Sequence, residues 1–233
     1  MRSGYSKAGT AAERGRLTAR PLATEQPPDA LRGLHRLERG GKRDGLVLVP
    51  QSYGPDRPAP LLVLLHGAGG EGGQMMSHLA GRAESRGFVI LAPDSRGRTW
   101  DVILGRYGPD VSFIDHALGH LFARYALAPD RIGVGGFSDG ASYALSLGIT
   151  NGTLFSDILA FSPGFAAPNE AHGLPRIFIS HGEKDEVLPI EQCSRRLVPR
   201  LREGGYDVDY REFPDGHIVP DHMVDAALDR FLA

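Results

Sequence analysis

Five short runs of apolar residues constrain this chain more than any other feature: 61–65 (LLVLL), 88–92 (FVILA), 131–135 (RIGVG), 157–161 (DILAF) and 176–180 (RIFIS). Such a run lacks the polar alternation of a half-exposed strand, so each predicts a strand covered on both sides, as in a parallel sheet. Between and after them lie segments with helical spacing, over 74–86, 112–126, 139–148, 190–203 and 221–232. In the second of these Phe113, Ala117, Leu121 and Tyr125 recur at intervals of four, with Asp110 and Ser112 as candidate caps. The alternation predicts an α/β fold built on a doubly wound, mostly parallel sheet with helices on both faces. Residues 45–50 (GLVLVP) and the alternating 208–213 (VDYREF) add strands, and 16–23 and 34–38 are predicted as short edge strands.

A length of 233 residues suits one such domain. We expect a flexible tail over residues 1–14 and a single domain over 15–233. With 26 basic and 28 acidic residues the net charge is −2, which gives no general attraction for nucleic acid or for an anionic membrane. Cys193 is the sole cysteine, so an intrachain disulfide and a cysteine-rich metal site are excluded. The basic start lacks an apolar stretch long enough for a secretory signal, and the expected location is cytoplasmic, without stable membrane association. His116 and His120 have a zinc-compatible spacing on a predicted helix, but no Glu follows the first of them. They are read as part of a helix surface, and no metal is expected.

In sheets of this kind ligands bind beyond the carboxyl ends of the strands. Four strand ends carry chemistry here. LLVLL runs into His66-Gly67-Ala68-Gly69-Gly70, RIGVG into Gly136-Phe137-Ser138-Asp139-Gly140, RIFIS into His181-Gly182-Glu183-Lys184-Asp185, and VDYREF into Pro214-Asp215-Gly216-His217. A serine hydroxyl becomes an effective nucleophile when an imidazole takes its proton and a carboxylate fixes that imidazole. Ser138 and His217 fit the first two roles, and Glu183, Asp185 or Glu186 the third. Gly136 and Gly140 would admit the tight turn that exposes such a serine. The oxyanion formed on attack needs N–H donors, for which Asp139 at a helix start and Ala68 or Gly69 in the first turn are candidates. The Asp139 side chain is expected to turn away, because its charge would oppose the oxyanion.

Together LLHGAGG (64–70), GFSDG (136–140), HGEKDEVLP (181–189) and PDGHIVP (214–220) resemble the α/β-hydrolase superfamily, in its phospholipase/carboxylesterase-type branch of small esterases and acyl-protein thioesterases. The resemblance runs from about residue 45 to the end. It implies Ser138 as nucleophile, Asp185 as acid, His217 as base, and the N–H groups of Ala68 and Asp139 as oxyanion donors. It implies a serine esterase without cofactor, acting on a small-molecule ester as a monomer or homodimer. Thioesterases of this type commonly carry Gln where this chain has Asp139. Acyl-protein thioesterase, lysophospholipase and a non-catalytic binding protein on the same fold are the alternatives. Gly69, Met75, Trp100, Phe165 and Ile218 are candidates for the substrate pocket. The span of about fifteen residues between 161 and 176 leaves no room for a large lid domain.

Overall fold

The apolar runs assemble into one eight-stranded sheet in a computed structural model that describes residues 10–21, 30–37 and 43–233. The strands are β1 (Gly33–Arg36), β2 (Leu46–Val49), β3 (Ala59–Leu65), β4 (Val89–Ala92), β5 (Leu127–Phe137), β6 (Asp157–Phe161), β7 (Arg176–Gly182) and β8 (Val208–Phe213), in the spatial order β1-β2-β4-β3-β5-β6-β7-β8. β1 with β2, and β2 with β4, pair antiparallel; every later pair is parallel.

The helices are α1 (Gly72–Arg86), α2 (Pro109–Phe122), α3 (Asp139–Thr150), α4 (Ser194–Glu203) and α5 (Asp221–Leu232). Side chains alternate across a strand, and β3 shows why the runs had to be apolar throughout. Leu61, Val63 and Leu65 enter the core beneath α2, α3 and α4, whereas Leu62 and Leu64 enter the core beneath α1 and α5. Phe231 of α5 is fully buried in this second core and meets Phe88 edge to face at 6.3 Å. Phe231→Ala is expected to lower unfolding free energy by about 3–5 kcal/mol, through lost burial and the cavity left behind; a denaturant titration measures it. After β4 the chain crosses over β3 to form β5, so strand order reverses beside β3 and a crevice opens at the carboxyl ends of β3 and β5. Among the described residues no helix is long and apolar enough to cross a membrane.

Several local expectations are corrected. Residues 16–21 form no strand: the amide of Leu17 donates to the Asn151 side chain, and those of Thr18 and Ala19 to Asp115, so α3 and α2 satisfy a backbone that a sheet ladder would otherwise have used. Residues 22 and 23 lie outside the described residues, as do 1–9 of the expected tail. Of that tail, residues 10–14 make a capped turn, in which Thr10 N–H donates to the Glu13 carboxylate and Glu13 N–H to the Thr10 hydroxyl. α2 begins at Pro109, whose missing N–H suits a first turn, and ends at Phe122. Neither Asp110 nor Ser112 caps it. α4 begins at Ser194, with residues 190–193 in turns and Cys193, buried, just before the helix.

Candidate active site

β5 ends at Phe137 and α3 begins at Asp139, leaving Ser138 alone to make the turn, with φ 58° and ψ −121°. A side chain at positive φ is strained by about 1–3 kcal/mol, and the surrounding bonds impose it. Ser138 N–H donates to the Phe161 carbonyl at 3.0 Å, and the Ser138 carbonyl accepts from Ala141 and Ser142 at 3.0 Å. The turn is also tightly packed. A Cβ on Gly136 would stand 2.6 Å from the Leu65 and Gly140 carbonyl oxygens, and one on Gly140 would stand 2.3 Å from the Leu65 carbonyl.

The strand ends bring three of the predicted side chains together. Ser138 Oγ lies 2.9 Å from His217 Nε2, and His217 Nδ1 lies 2.6 Å from Asp185 Oδ2. The other oxygen of Asp185 accepts from the amides of Val187 at 2.9 Å and Leu188 at 2.8 Å. Burial opposes ionisation of Asp185, yet the Leu188 amide and the His217 ring together hold its carboxyl below the usual range. An ionised Asp185 places the His217 proton on Nδ1 and leaves Nε2 free to accept from the serine hydroxyl. Phe137 packs against the His217 ring at 4.5 Å between centroids. Glu183 and Glu186, the other two acid candidates, are exposed.

A second imidazole shares the carboxylate. His181, fully buried, has Nε2 2.8 Å from the Leu188 carbonyl and 3.3 Å from Asp185 Oδ2, while Nδ1 faces the Ser194 hydroxyl at 2.7 Å. The carbonyl requires a proton on Nε2, and burial pushes the ring's pKa down, so His181 braces the acid as a neutral donor.

Across the crevice, the turn after β3 is held by His66. Its Nε2 accepts from the Ser95 amide at 3.0 Å and its Nδ1 faces the Gly67 carbonyl at 2.7 Å; burial lowers its pKa. Gly69 N–H is engaged with the Arg98 carbonyl at 2.7 Å, whereas the N–H groups of Ala68 and Asp139 take no acceptor among the described residues. The Asp139 carboxylate is turned to Thr99, whose hydroxyl donates to it at 2.6 Å.

Ser138 and His217 open onto a cleft of about 590 Å³ lined also by Gly67, Ala68, Gln74, Met75 and Val187. Of the five pocket candidates only Met75 reaches it. Trp100 is corrected: it is fully buried, stacked on Tyr143 at 5.0 Å, with its indole N–H on the His66 carbonyl at 2.8 Å, and so supports the turn from behind. Gly69 is absent from the cleft wall, and its amide donates to the Arg98 carbonyl. Phe165 and Ile218 are 37% and 45% exposed and also lie outside the wall. Sequence reasoning missed Gln74, Ser77, His78 and Val187 as lining residues. The first three follow from spacing, since the helix that starts after the Gly-rich turn must carry its first two turns along the crevice.

A family model described as Phospholipase/Carboxylesterase matches residues 112–232, just over half of the chain. The chain belongs to the phospholipase/carboxylesterase family. The matched span contains Ser138, Asp185 and His217 and stops short of the Gly-rich turn. Among curated proteins, "Acyl-protein thioesterase 1" of Gibberella zeae is 31% identical over 109 residues, which are 42% of this chain and 46% of that protein. "Probable feruloyl esterase C" of Aspergillus oryzae is 24% identical over 173 residues, 70% of this chain and 62% of that protein. The chain thus spans about half to three-fifths of the length of these relatives. Among solved structures, that of esterase PE8 superposes with a TM-score of 0.67 at 24% identity, covering 83% of this chain and all of that one, and so shares the α/β-hydrolase fold.

Proposed function

We propose that this protein is a serine hydrolase that cleaves carboxylic esters of small or accessible substrates through an acyl-enzyme. The observation that carries the reading is the continuous path from Ser138 Oγ through His217 to Asp185 at a strained strand-to-helix turn, with Ala68 on the same cleft and Asp139 next in sequence, their N–H groups without an acceptor among the described residues. Ser138 attacks the ester carbonyl while its proton passes to His217 Nε2. The carbonyl oxygen, now negative, is held by the N–H groups of Ala68 and Asp139. The tetrahedral adduct collapses as His217 returns the proton to the departing alcohol, leaving the acyl group on Ser138. Water then attacks with His217 again as base, releasing the carboxylic acid and restoring the serine. Asp185 keeps its charge throughout and stabilises the imidazolium. No step calls for a metal or an organic cofactor.

The connection between β6 and β7 crosses from residue 162 to 175 without a helix, so it supplies no large lid over the cleft. An open cleft favours short or aryl acyl groups over long chains that need a covered apolar channel. Across a series of nitrophenyl esters kcat/KM is expected to peak at short acyl chains and to fall beyond medium length, with an initial burst of nitrophenolate if deacylation is slow. A long-chain optimum would contradict the open-cleft reading. The fungal relatives' names make a feruloyl ester and an acyl thioester the informative additions to the series.

A further inference from the structure

Asp139 embodies a conflict. The proposed mechanism uses its N–H to hold an oxyanion, yet its side chain is an anion attached to the same residue, and like charges close together oppose each other strongly where water is scarce. The structure separates the two ends of the residue. Thr99 Oγ1 donates to Asp139 Oδ2 at 2.6 Å, and neither residue lines the cleft that Ser138 and His217 share, while the Asp139 N–H at the start of α3 takes no acceptor among the described residues.

Thr99 belongs to a segment between β4 and α2 that also supports the opposite donor. Its neighbour Arg98 accepts from Gly69 N–H at 2.7 Å, and its other neighbour Trp100 donates to the His66 carbonyl at 2.8 Å. The segment is fastened at both ends by one buried carboxylate: Asp110 accepts from Arg96 N–H at 2.6 Å through one oxygen and from Asp101 N–H at 2.7 Å through the other. Arg98 and Trp100 therefore hold the Gly-rich turn, and Thr99 between them bonds to Asp139 beside Ser138.

We infer that Thr99 is a positioning residue for ester hydrolysis, its hydroxyl holding the Asp139 carboxylate away from the oxyanion on a segment that braces both donor turns. The inference rests on the serine hydrolase reading. Removing the hydroxyl leaves the carboxylate free to swing toward the reacting centre, where it acts on the transition state and little on the neutral ester.

The test uses the full chain, with nitrophenyl butyrate as substrate and a phenylboronic acid as a mimic of the charged tetrahedral state. Thr99→Val is expected to lower kcat by about 10- to 100-fold with KM changed less than about threefold, the split that marks a contact effective in the transition state. Boronate affinity should fall by a similar factor. Thr99→Ser, which keeps the hydroxyl, should stay within about threefold of wild type. Thr99→Val combined with Asp139→Asn should regain at least about tenfold over Thr99→Val alone, because no charge is left to restrain. The inference fails if Thr99→Val turns over within threefold of wild type, or if the double variant is no faster than the single one, which would make Thr99 a structural prop only. If Thr99→Val does not fold, Thr99→Ala against Thr99→Ser makes the same comparison. An active wild type with an unaffected Thr99→Val refutes this inference alone; a folded wild type without esterase activity refutes the parent reading with it.

Discussion

Ser138→Ala is expected to lower ester turnover by about 10⁵- to 10⁶-fold and to abolish labelling by a fluorophosphonate probe, because a serine and its imidazole base act as a unit. Some catalysis should remain, since the N–H donors and the binding cleft survive the substitution. The fold should survive as well. Among the described residues the only hydrogen bond of the Ser138 hydroxyl runs to His217, and the bonds that force the turn, to Phe161, Ala141 and Ser142, are made by the backbone. Alanine at φ 58° is no more strained than serine, so the melting temperature should move by only a few degrees. Labelling that persists in Ser138→Ala, or a folded wild type that resists the probe, would remove Ser138 from the nucleophile's role.

Asp185→Asn should cost about 10⁴-fold in turnover, for a reason the hydrogen bonds spell out. One carboxylate oxygen is held by the amides of Val187 and Leu188, so the carbonyl of an introduced asparagine must stay there and its NH₂ must take the other position. That NH₂ would face His217 Nδ1, where an acceptor is required, and drive the ring to the tautomer with its proton on Nε2. Ser138 would then meet a donor in place of a base. The same NH₂ would confront the Nε2 proton of His181, 3.3 Å from the oxygen it replaces, so a loss of stability should accompany the loss of rate. Glu183→Gln and Glu186→Gln, both on the surface, should remain within a few-fold of wild type. The opposite pattern, measured as kcat/KM at a temperature where all three variants are folded, would move the acid.

The sequence exposed the architecture where burial left a residue no choice. β6, β8 and α5 run where the sequence pattern places them, because a strand covered on both faces, an alternating edge strand and an amphipathic helix closing a core each leave their own period in the chain. The boundaries it missed were set by contacts across the fold. Nothing local at 16–21 announces that Asn151 and Asp115 will supply its hydrogen bonds, and Asp110 reads as a helix cap until the structure shows it holding Arg96 and Asp101. The grouping of Ser138, Asp185 and His217 was legible because each follows closely on the end of a strand, whereas the cleft wall was less so. Trp100 follows a Gly-containing loop and looked like a lining aromatic; its stacking on Tyr143 depends on a helix more than forty residues away. Asp139 was readable in part, as a charge that had to point elsewhere, but only the fold supplies Thr99 as its partner.

The chain order of the site has a consequence for synthesis. His217 follows Ser138 by 79 residues and stands just beyond β8, at the far edge of the sheet. At translation rates of about 5–20 residues per second, roughly 4–16 s separate the appearance of Ser138 from that of His217. During that interval a nascent chain carries Ser138 and the Gly-rich turn without the imidazole that bonds to the serine. On the proposed mechanism, hydrolytic competence therefore arrives only when the last strand docks, so that chain order alone leaves a ribosome-bound chain lacking His217 without its base.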